Sequence, residues 1–474
     1  MTSKKDIAII GGGAVGPLLL AYISNEAERQ SATLNGVTFH LIDPKGFGNG
    51  GIAYGKCNSQ HVLNSVIQEM APFRENAFLD FLKSSRIPAN QEEFYSRSLY
   101  KKFIKKDLVD RSIKVLECHG ARFEEHKVAA RIQQTKNGRF NVLNPCSGPI
   151  SLALCGLSNE DIILTVGYGP NNRFTPFKNQ SGFVHSIYDT RGELSLIERE
   201  TKLQNPSNRI AVIGSGPGLY DVVNELPHPF REFFVFSGSG KGLGVRDLKL
   251  EKNEQSLPPQ RLLSLGKDSK LTEVVSALKQ EFTIAANGRS KRRIGLDIQK
   301  NIKQILMQLD KGVAEAFRQS SEYAPIKHIA TPVPQKSKQK LDTFSPHFVK
   351  ARLENDQIKK QLDGSYLINT GDNQYEVDVV INATGHGRHN SSIIQSLKKQ
   401  GLAQVNPITN ALETDETEYR LKSSGISVIG PATHVGTDGM ESFACYTERC
   451  AKALVRQINS NLNFNRDRDF RAAI

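Results

Sequence analysis

The feature that most limits this chain is the order of residues 6–43. Asp6–Ile10 (DIAII) is an apolar run with the length of a buried parallel strand. It ends in Gly11-Gly12-Gly13-Ala14-Val15-Gly16, and the apolar Leu18–Ile23 reads as the start of a helix. Val37–Ile42 (VTFHLI) is a second strand, and it ends in Asp43. Gly11, Gly13 and Gly16 have the G-x-G-x-x-G spacing. The first glycine permits a tight turn, the second lets the backbone approach a pyrophosphate, and the third lets helix and strand pack closely. Asp43 stands where an acid accepts hydrogen bonds from ribose hydroxyls. The gap to Asp43 is long because 28–36 extends the connection. A strand before and a helix after separate this pattern from a glycine turn that binds nothing.

A similar unit begins at Arg209. Ile210–Ile213 is a strand, Gly214-Ser215-Gly216-Pro217-Gly218 a turn, Leu219–Leu226 a helix and Glu232–Phe236 the next strand. Gly214 and Gly216 suit a phosphate, but Leu219 occupies the third glycine position of the spacing. No acid follows Phe236; Ser237, Lys241 and Arg246 do. Hydroxyl and cation favour a 2′-phosphate where an acid favours a free hydroxyl, which points to NADPH over NADH. The alternative is a vestigial turn. Two further strands, Asp161–Thr165 and Val377–Asn382, run into the small-residue turns VGYGP and ATGHG, which contain Gly167 and Gly385. A last strand, Ile426–Ile429, runs into Gly430.

These elements predict an α/β fold with two Rossmann-like, doubly wound dinucleotide-binding domains. The first is discontinuous, 1–205 and 375–474. The second is 206–374, with a helical insertion at about 241–325 where Leu271–Phe282 and Ile298–Phe317 have helical spacing. Ala330–Phe344 reads as a polar connection, and Phe348–Val380 as a strand meander around Asp363-Gly364 and Gly371-Asp372-Asn373. Arg122–Arg131 and Arg139–Leu143 suggest a hairpin around Asn137-Gly138, and Ser442 to about Ile458 a helix.

The whole chain resembles the bacterial FAD/NAD(P)-binding protein family distantly similar to lysine and ornithine N-monooxygenases. The matching pieces are GGGAVG, GFGNGGIAYG at Gly46–Gly55 with HVLN at His61–Asn64, and Arg97 and Tyr100 in FYSRSLYKKF. TVGYGP, GSGPGLYDVV, ATGHG, VIGPATH and GMESFA complete them. The resemblance implies FAD at the first site and NADPH, or NADH, at the second. It places Gly46–Asn64 beside the flavin, with His61 and Asn64 as candidate catalytic residues near its N5 edge. It also places Arg97 near the FAD phosphates, Val128 against the adenine, and Gly430 with Glu441, Ser442 and Phe443 against the flavin. Two departures stand out. Met440 precedes Glu441 where the family commonly has Trp, and SGSGKGLG replaces a turn with paired Arg.

Composition closes other routes. The net charge is +13, with one basic knot at Arg289, Lys291, Arg292 and Arg293. The knot has no interleaved aromatics to stack bases, so it reads as a solvated loop and no nucleic-acid partner is expected. Six Cys without a CxxC pair describe neither a disulfide framework nor a zinc site. Cys445 and Cys450 have the spacing of a flavin disulfide pair but fall on a predicted helix, and Cys57 has Val62 where its partner would stand. No His pair has helical ligand spacing with a carboxylate, so no metal is expected. His386, His389 and His434 read as backbone-bonded turn residues. No apolar run is long enough for a membrane helix, and the N-terminus lacks a signal-peptide core. A cytoplasmic enzyme acting on a small molecule is the expectation. NADPH would reduce FAD, and oxygen activated there would hydroxylate an amine or similar nucleophile. The alternatives are a reductase without oxygen activation and a non-catalytic flavin-binding sensor.

Overall fold

The computed structural model of the chain describes residues 4–460 apart from 56, 58–60, 72, 90–93, 146–151, 189–195, 246–254, 285–288, 321, 324–325, 327–331, 388, 416–418 and 434–446. Strand β1 (Lys5–Ile10) pairs in parallel with β2 (Val37–Ile42), with helix Val15–Gln30 between them. Buried on both faces, such strands can be apolar throughout, which is why the sequence announces them so clearly. On the far side of β2 lies β3 (Arg122–His126). Then come a three-stranded antiparallel sheet of β4 (Arg131–Gln134), β5 (Phe140–Leu143) and β6 (Ala153–Leu157), and strand β7 (Ile162–Leu164) back in the first sheet. The expected hairpin is β4–β5. Arg122–His126, expected as one of its arms, is instead an edge strand of the parallel sheet.

The second sheet takes β8 (Phe183–Val184), β9 (Arg209–Ile213), β10 (Glu232–Ser237) and β11 (His347–Lys350). After β11 come the antiparallel strands β12 (Ile358–Lys360), β13 (Tyr366–Asn369) and β14 (Gln374–Val377), then β15 (Val379–Asn382) back in the second sheet and β16 (Ser427–Val428) in the first. The orders are β16-β7-β1-β2-β3 and β11-β10-β9-β15-β8, all parallel. This corrects the expected boundaries at 205/206 and 374/375. Strands β8 and β15 lie outside 206–374 yet belong to the second sheet, so that sheet spans 183–382. The chain crosses between the sheets at 165–170 and again at 383–387. The two crossings are bonded to each other, Gly169 N–H donating to Gly387 O at 2.9 Å.

The expected strand Val377–Asn382 is split at Asp378, whose carboxylate receives the Arg209 backbone N–H (2.8 Å) and guanidinium. The single helix expected over Ile298–Phe317 is two, Lys291–Gln308 and Lys311–Gln319. Asp310 caps the second by accepting the N–H groups of Gly312 and Val313. The polar segment at 330–344 contains helix Gln335–Asp342 rather than only a connection. Helix Leu271–Ile284 and the two after it share an apolar core with Ala411 of the first unit, so the insertion has a core of its own and leans on the first unit. The basic knot is not a solvated loop. Arg289 and Arg293 pair with buried Asp297, and Arg292 pairs with Glu69 at 3.3 Å. Among the described residues no helix is long and apolar enough to cross a membrane.

Candidate functional site

Each parallel sheet carries one glycine turn at the carboxyl ends of its strands, where open α/β sheets bind ligands. At the first, Gly11 has φ +116°, and a Cβ there would lie 2.6 Å from the Thr165 carbonyl. A Cβ on Gly16 would lie 2.1 Å from the Gly11 carbonyl, so its role is close helix–strand packing. Gly13 is looser: its Cβ would meet only Gly51, at 3.4 Å. Helix Val15–Gln30 starts at Ala14 with no side-chain cap and no acid in its first turn. Its first N–H groups are therefore suited to an anion, as a pyrophosphate requires.

Asp43 is fastened to this turn. Its Oδ2 accepts the Gly12 N–H at 2.7 Å, and its Oδ1 accepts Lys45 N–H and Asn49 Nδ2–H. Burial raises its pKa against those hydrogen bonds. An ionised carboxylate has about four lone-pair sites, which leaves room for one further donor such as a ribose hydroxyl. Val128 is buried in the turn after β3, in the cluster that holds Ile10 and Ile42. Gly167 and Gly385 have nothing within 4 Å of where a Cβ would stand, and Gly430 packs at 3.0 Å on the Val166 carbonyl. Glu441, Ser442, Phe443 and His434 lie outside the described residues.

The second turn opens onto a cavity of about 640 Å³ lined by Gly214, Gly216, Ser237, Ser239, Arg352 and Gly385, among others. Gly214 has φ +112° and sits 2.6 Å, measured from an added Cβ, from the Ala383 carbonyl. The missing third glycine is supplied one residue early. A Cβ on Gly218 would meet Ile187 at 3.1 Å and the Ala383 carbonyl at 3.3 Å, the close contact that Leu219 could not make. Helix Pro217–Glu225 also begins without a side-chain cap or first-turn acid. Ser237 Oγ lies 3.2 Å from Ser239 Oγ and accepts Gly240 N–H. Lys241 is exposed beside this turn but does not line the cavity, and Arg246 lies outside the described residues. Sequence reading missed the cations that do line it, Arg173, which is bound to the Leu353 carbonyl and Glu354, and Arg352. Arg352, two residues past β11, lies across Gly238, its Nε 2.8 Å from where a Cβ on that glycine would be. Among the described residues no hydrogen bond or ion pair holds it.

Between the two turns lies a buried polar cluster. Arg97 Nη1 donates to Asp221 Oδ2 at 2.9 Å and to Tyr188 Oη at 3.2 Å. Its Nη2 lies 2.9 Å from Asp221 Oδ1, and its Nε donates to the Val62 carbonyl. Burial alone would lower the Arg97 pKa; Asp221 outweighs it and raises it. Arg97, expected near the FAD phosphates, is held here by Asp221 in the helix of the second unit, by Tyr188 and by the Val62 carbonyl. His61 is 1% exposed, and its Nε2 lies 3.2 Å from Glu225 Oε1 of the same helix. Burial lowers the His61 pKa against the pull of Asp221, which favours the neutral ring. Asn64 is half-buried on the same segment. His386 packs between Tyr168 and Tyr188, at 5.7 and 5.4 Å between ring centres.

Cys57 stands beside this cluster, and burial pushes its thiol up to about 11. At pH 8 only about a thousandth of it is thiolate, the nucleophilic form. Iodoacetamide is therefore expected to reach the exposed Cys118 and Cys155 first. Cys57 labelling should rise only above about pH 9, as peptide mass mapping across a pH series would show. Cys57 labelled as fast as Cys118 at pH 7 would contradict this.

Comparison with known proteins agrees with the geometry. A family model described as FAD-NAD(P)-binding matches residues 8–151. No curated protein matches the chain. Among solved structures, the ornithine hydroxylase PvdA from Pseudomonas aeruginosa is 13% identical with a TM-score of 0.52, covering 96% of this chain and 99% of that one. The lysine monooxygenase NbtG from Nocardia farcinica is 14% identical with a TM-score of 0.50, covering 94% and 98%. Over residues 8–151 the chain carries an FAD-NAD(P)-binding segment, and over its length it has the fold of the two-dinucleotide-binding flavoproteins.

Proposed function

We propose that this oxidoreductase uses NADPH to reduce FAD and is a monooxygenase acting on a small molecule. The observation that carries the reading is the second cavity, lined by Arg352, Ser237 and Ser239 around a glycine turn, with Arg352 holding no hydrogen bond or ion pair among the described residues. Bound FAD would supply the two-electron and oxygen chemistry. The chain's own residues bind and orient. The N–H groups that begin helix Val15–Gln30 would hold one pyrophosphate, and those that begin helix Pro217–Glu225 the other. Asp43 holds the first turn in shape. Arg352, with Ser237 and Ser239, would hold the 2′-phosphate of NADPH. His61 and Asn64 stay the candidate residues at the reacting centre, His61 as a neutral imidazole.

The test is anaerobic addition of NADPH to the FAD-loaded protein, followed by oxygen uptake with candidate amines. Flavin bleaching with substrate-dependent oxygen uptake supports the reading. Bleaching without such uptake makes the protein a reductase, and no bleaching removes the NADPH role. The cofactor preference has its own check. A charge-assisted hydrogen bond is worth about 1.5–3 kcal/mol, so Arg352→Ala is expected to weaken NADPH binding about 10–100-fold. NADH, which lacks the phosphate, should bind as before in a fluorescence titration. Equal loss for both would remove Arg352 from the phosphate.

A further inference from the structure

The first sheet holds a cluster that neither nucleotide turn uses. Asp6 on β1, His40 on β2, and Glu124 and His126 on β3 share one face. The register puts His40 directly opposite Glu124, and Glu124 and His126 are two apart on their strand. His40 Nδ1 lies 3.0 Å from His126 Nε2 and 3.4 Å from Glu124 Oε2, and His126 Nε2 lies 3.7 Å from the same oxygen. Three donors around a tetrahedral zinc with bonds of about 2.0–2.1 Å are about 3.3 Å apart. The observed triangle brackets that edge. The remaining nitrogen of His40 is already committed: Nε2 lies 3.1 Å from Asp6 Oδ1. A proton on Nε2, donated to that carboxylate, leaves the Nδ1 lone pair facing the other two donors. This is the arrangement by which a carboxylate orients a metal-binding imidazole. The His40 side chain is 5% exposed, so it is fixed in place, while Glu124 is 58% exposed and leaves an approach from solvent.

We propose that His40, Glu124 and His126 form a binding site for a divalent transition metal, zinc first among them, with Asp6 holding the His40 ring. Two imidazoles and one carboxylate make a three-ligand zinc set with a fourth position for water. Binding moves the proton that lies between His40 Nδ1 and His126 Nε2 to His126 Nδ1, so that both rings stay neutral and each offers a lone pair to the metal. The metal fastens β3, the edge strand, to β2 by side chains as well as by backbone. Through the Asp43 N–H, which donates to the His126 carbonyl at 3.1 Å, it steadies the turn that carries Asp43.

The experiment is equilibrium dialysis of the full-length, FAD-loaded protein against zinc chloride, with metal counted by mass spectrometry. The same samples with cobalt chloride are read by visible absorption. The wild-type chain is expected to hold one zinc more than His126→Asn, and to show the visible bands of four-coordinate cobalt that the variant lacks. Asp6→Asn should keep the site but bind at least about tenfold more weakly. Glu124→Gln, a change on an exposed side chain, serves as a second ligand variant should His126→Asn fold poorly, and its expected loss is the same. Equal zinc uptake by wild type and either ligand variant, or no cobalt bands in the wild type, would overturn the proposal. Zinc held by cysteines appears equally in all samples and so counts against the site only when no difference remains.

Discussion

Arg97→Met is expected to destabilise the protein by about 3–5 kcal/mol, because it strands the buried Asp221 carboxylate without its cation. Both side chains are under a tenth exposed, and among the described residues Asp221 would keep only the Tyr188 hydroxyl at 2.8 Å. Against a total stability of about 5–15 kcal/mol this is a large loss. Urea unfolding followed by circular dichroism measures it. The second half of the test is the double variant Arg97→Met/Asp221→Leu. An apolar pair of similar volume avoids the desolvation of two charges, so the double variant should regain most of the lost stability. If Arg97→Met cost under about 1 kcal/mol, or the double variant were worse than the single, the pair would not hold the two units as described.

The second large effect is expected at the glycine turns. Gly11→Ala places a Cβ 2.6 Å from the Thr165 carbonyl at a φ of +116°. The carbonyl is backbone and has little freedom to move: Thr165 N–H donates to Ile10 O, and the Thr165 hydroxyl donates to Gly11 O. Strain of about 1–3 kcal/mol from the backbone conformation alone corresponds to a factor of about 5–150, with the clash added. Purified Gly11→Ala should therefore carry little FAD by absorbance. Gly214→Ala makes the matching contact with the Ala383 carbonyl. It should retain FAD and lose NADPH binding. Loss of FAD from Gly214→Ala instead would mean the two turns do not serve separate cofactors.

What the sequence revealed and what it hid follow the same physics. Parallel strands buried on both faces are short apolar runs with glycine at their ends, and β1, β2, β9 and β10 were legible within a residue or so. Strand β8 has two residues and no pattern of its own; its neighbour β15 creates it. Helix Gln335–Asp342 (QKSKQKLD) buries only Ser337 and Leu341, so its apolar periodicity is nearly silent. Arg352 and Gly238 meet although they follow different strands far apart in sequence, β11 and β10, which no local motif encodes. The His40, Glu124 and His126 cluster escaped a search for helical ligand spacing because its period is that of strands, two along β3 and one across to β2. Gly218 shows the opposite case. The motif looked broken at Leu219, yet the packing constraint behind it is met by the residue before.

The clasp between Gly169 and Gly387 has a consequence for the history of such chains. The second unit enters and leaves the first through two backbone segments hydrogen-bonded to each other, so its ends are neighbours in space. A unit with adjoining ends is a cassette. It can be inserted into, removed from or exchanged within a host fold by joining two nearby points, leaving the host sheet order intact. The chain between Gly244 and Val333, which carries the helices, repeats the device one level down: its ends are joined by the Val333 N–H bond to the Gly244 carbonyl. A change confined to such a segment leaves the outer layer, with its first glycine turn, as it was.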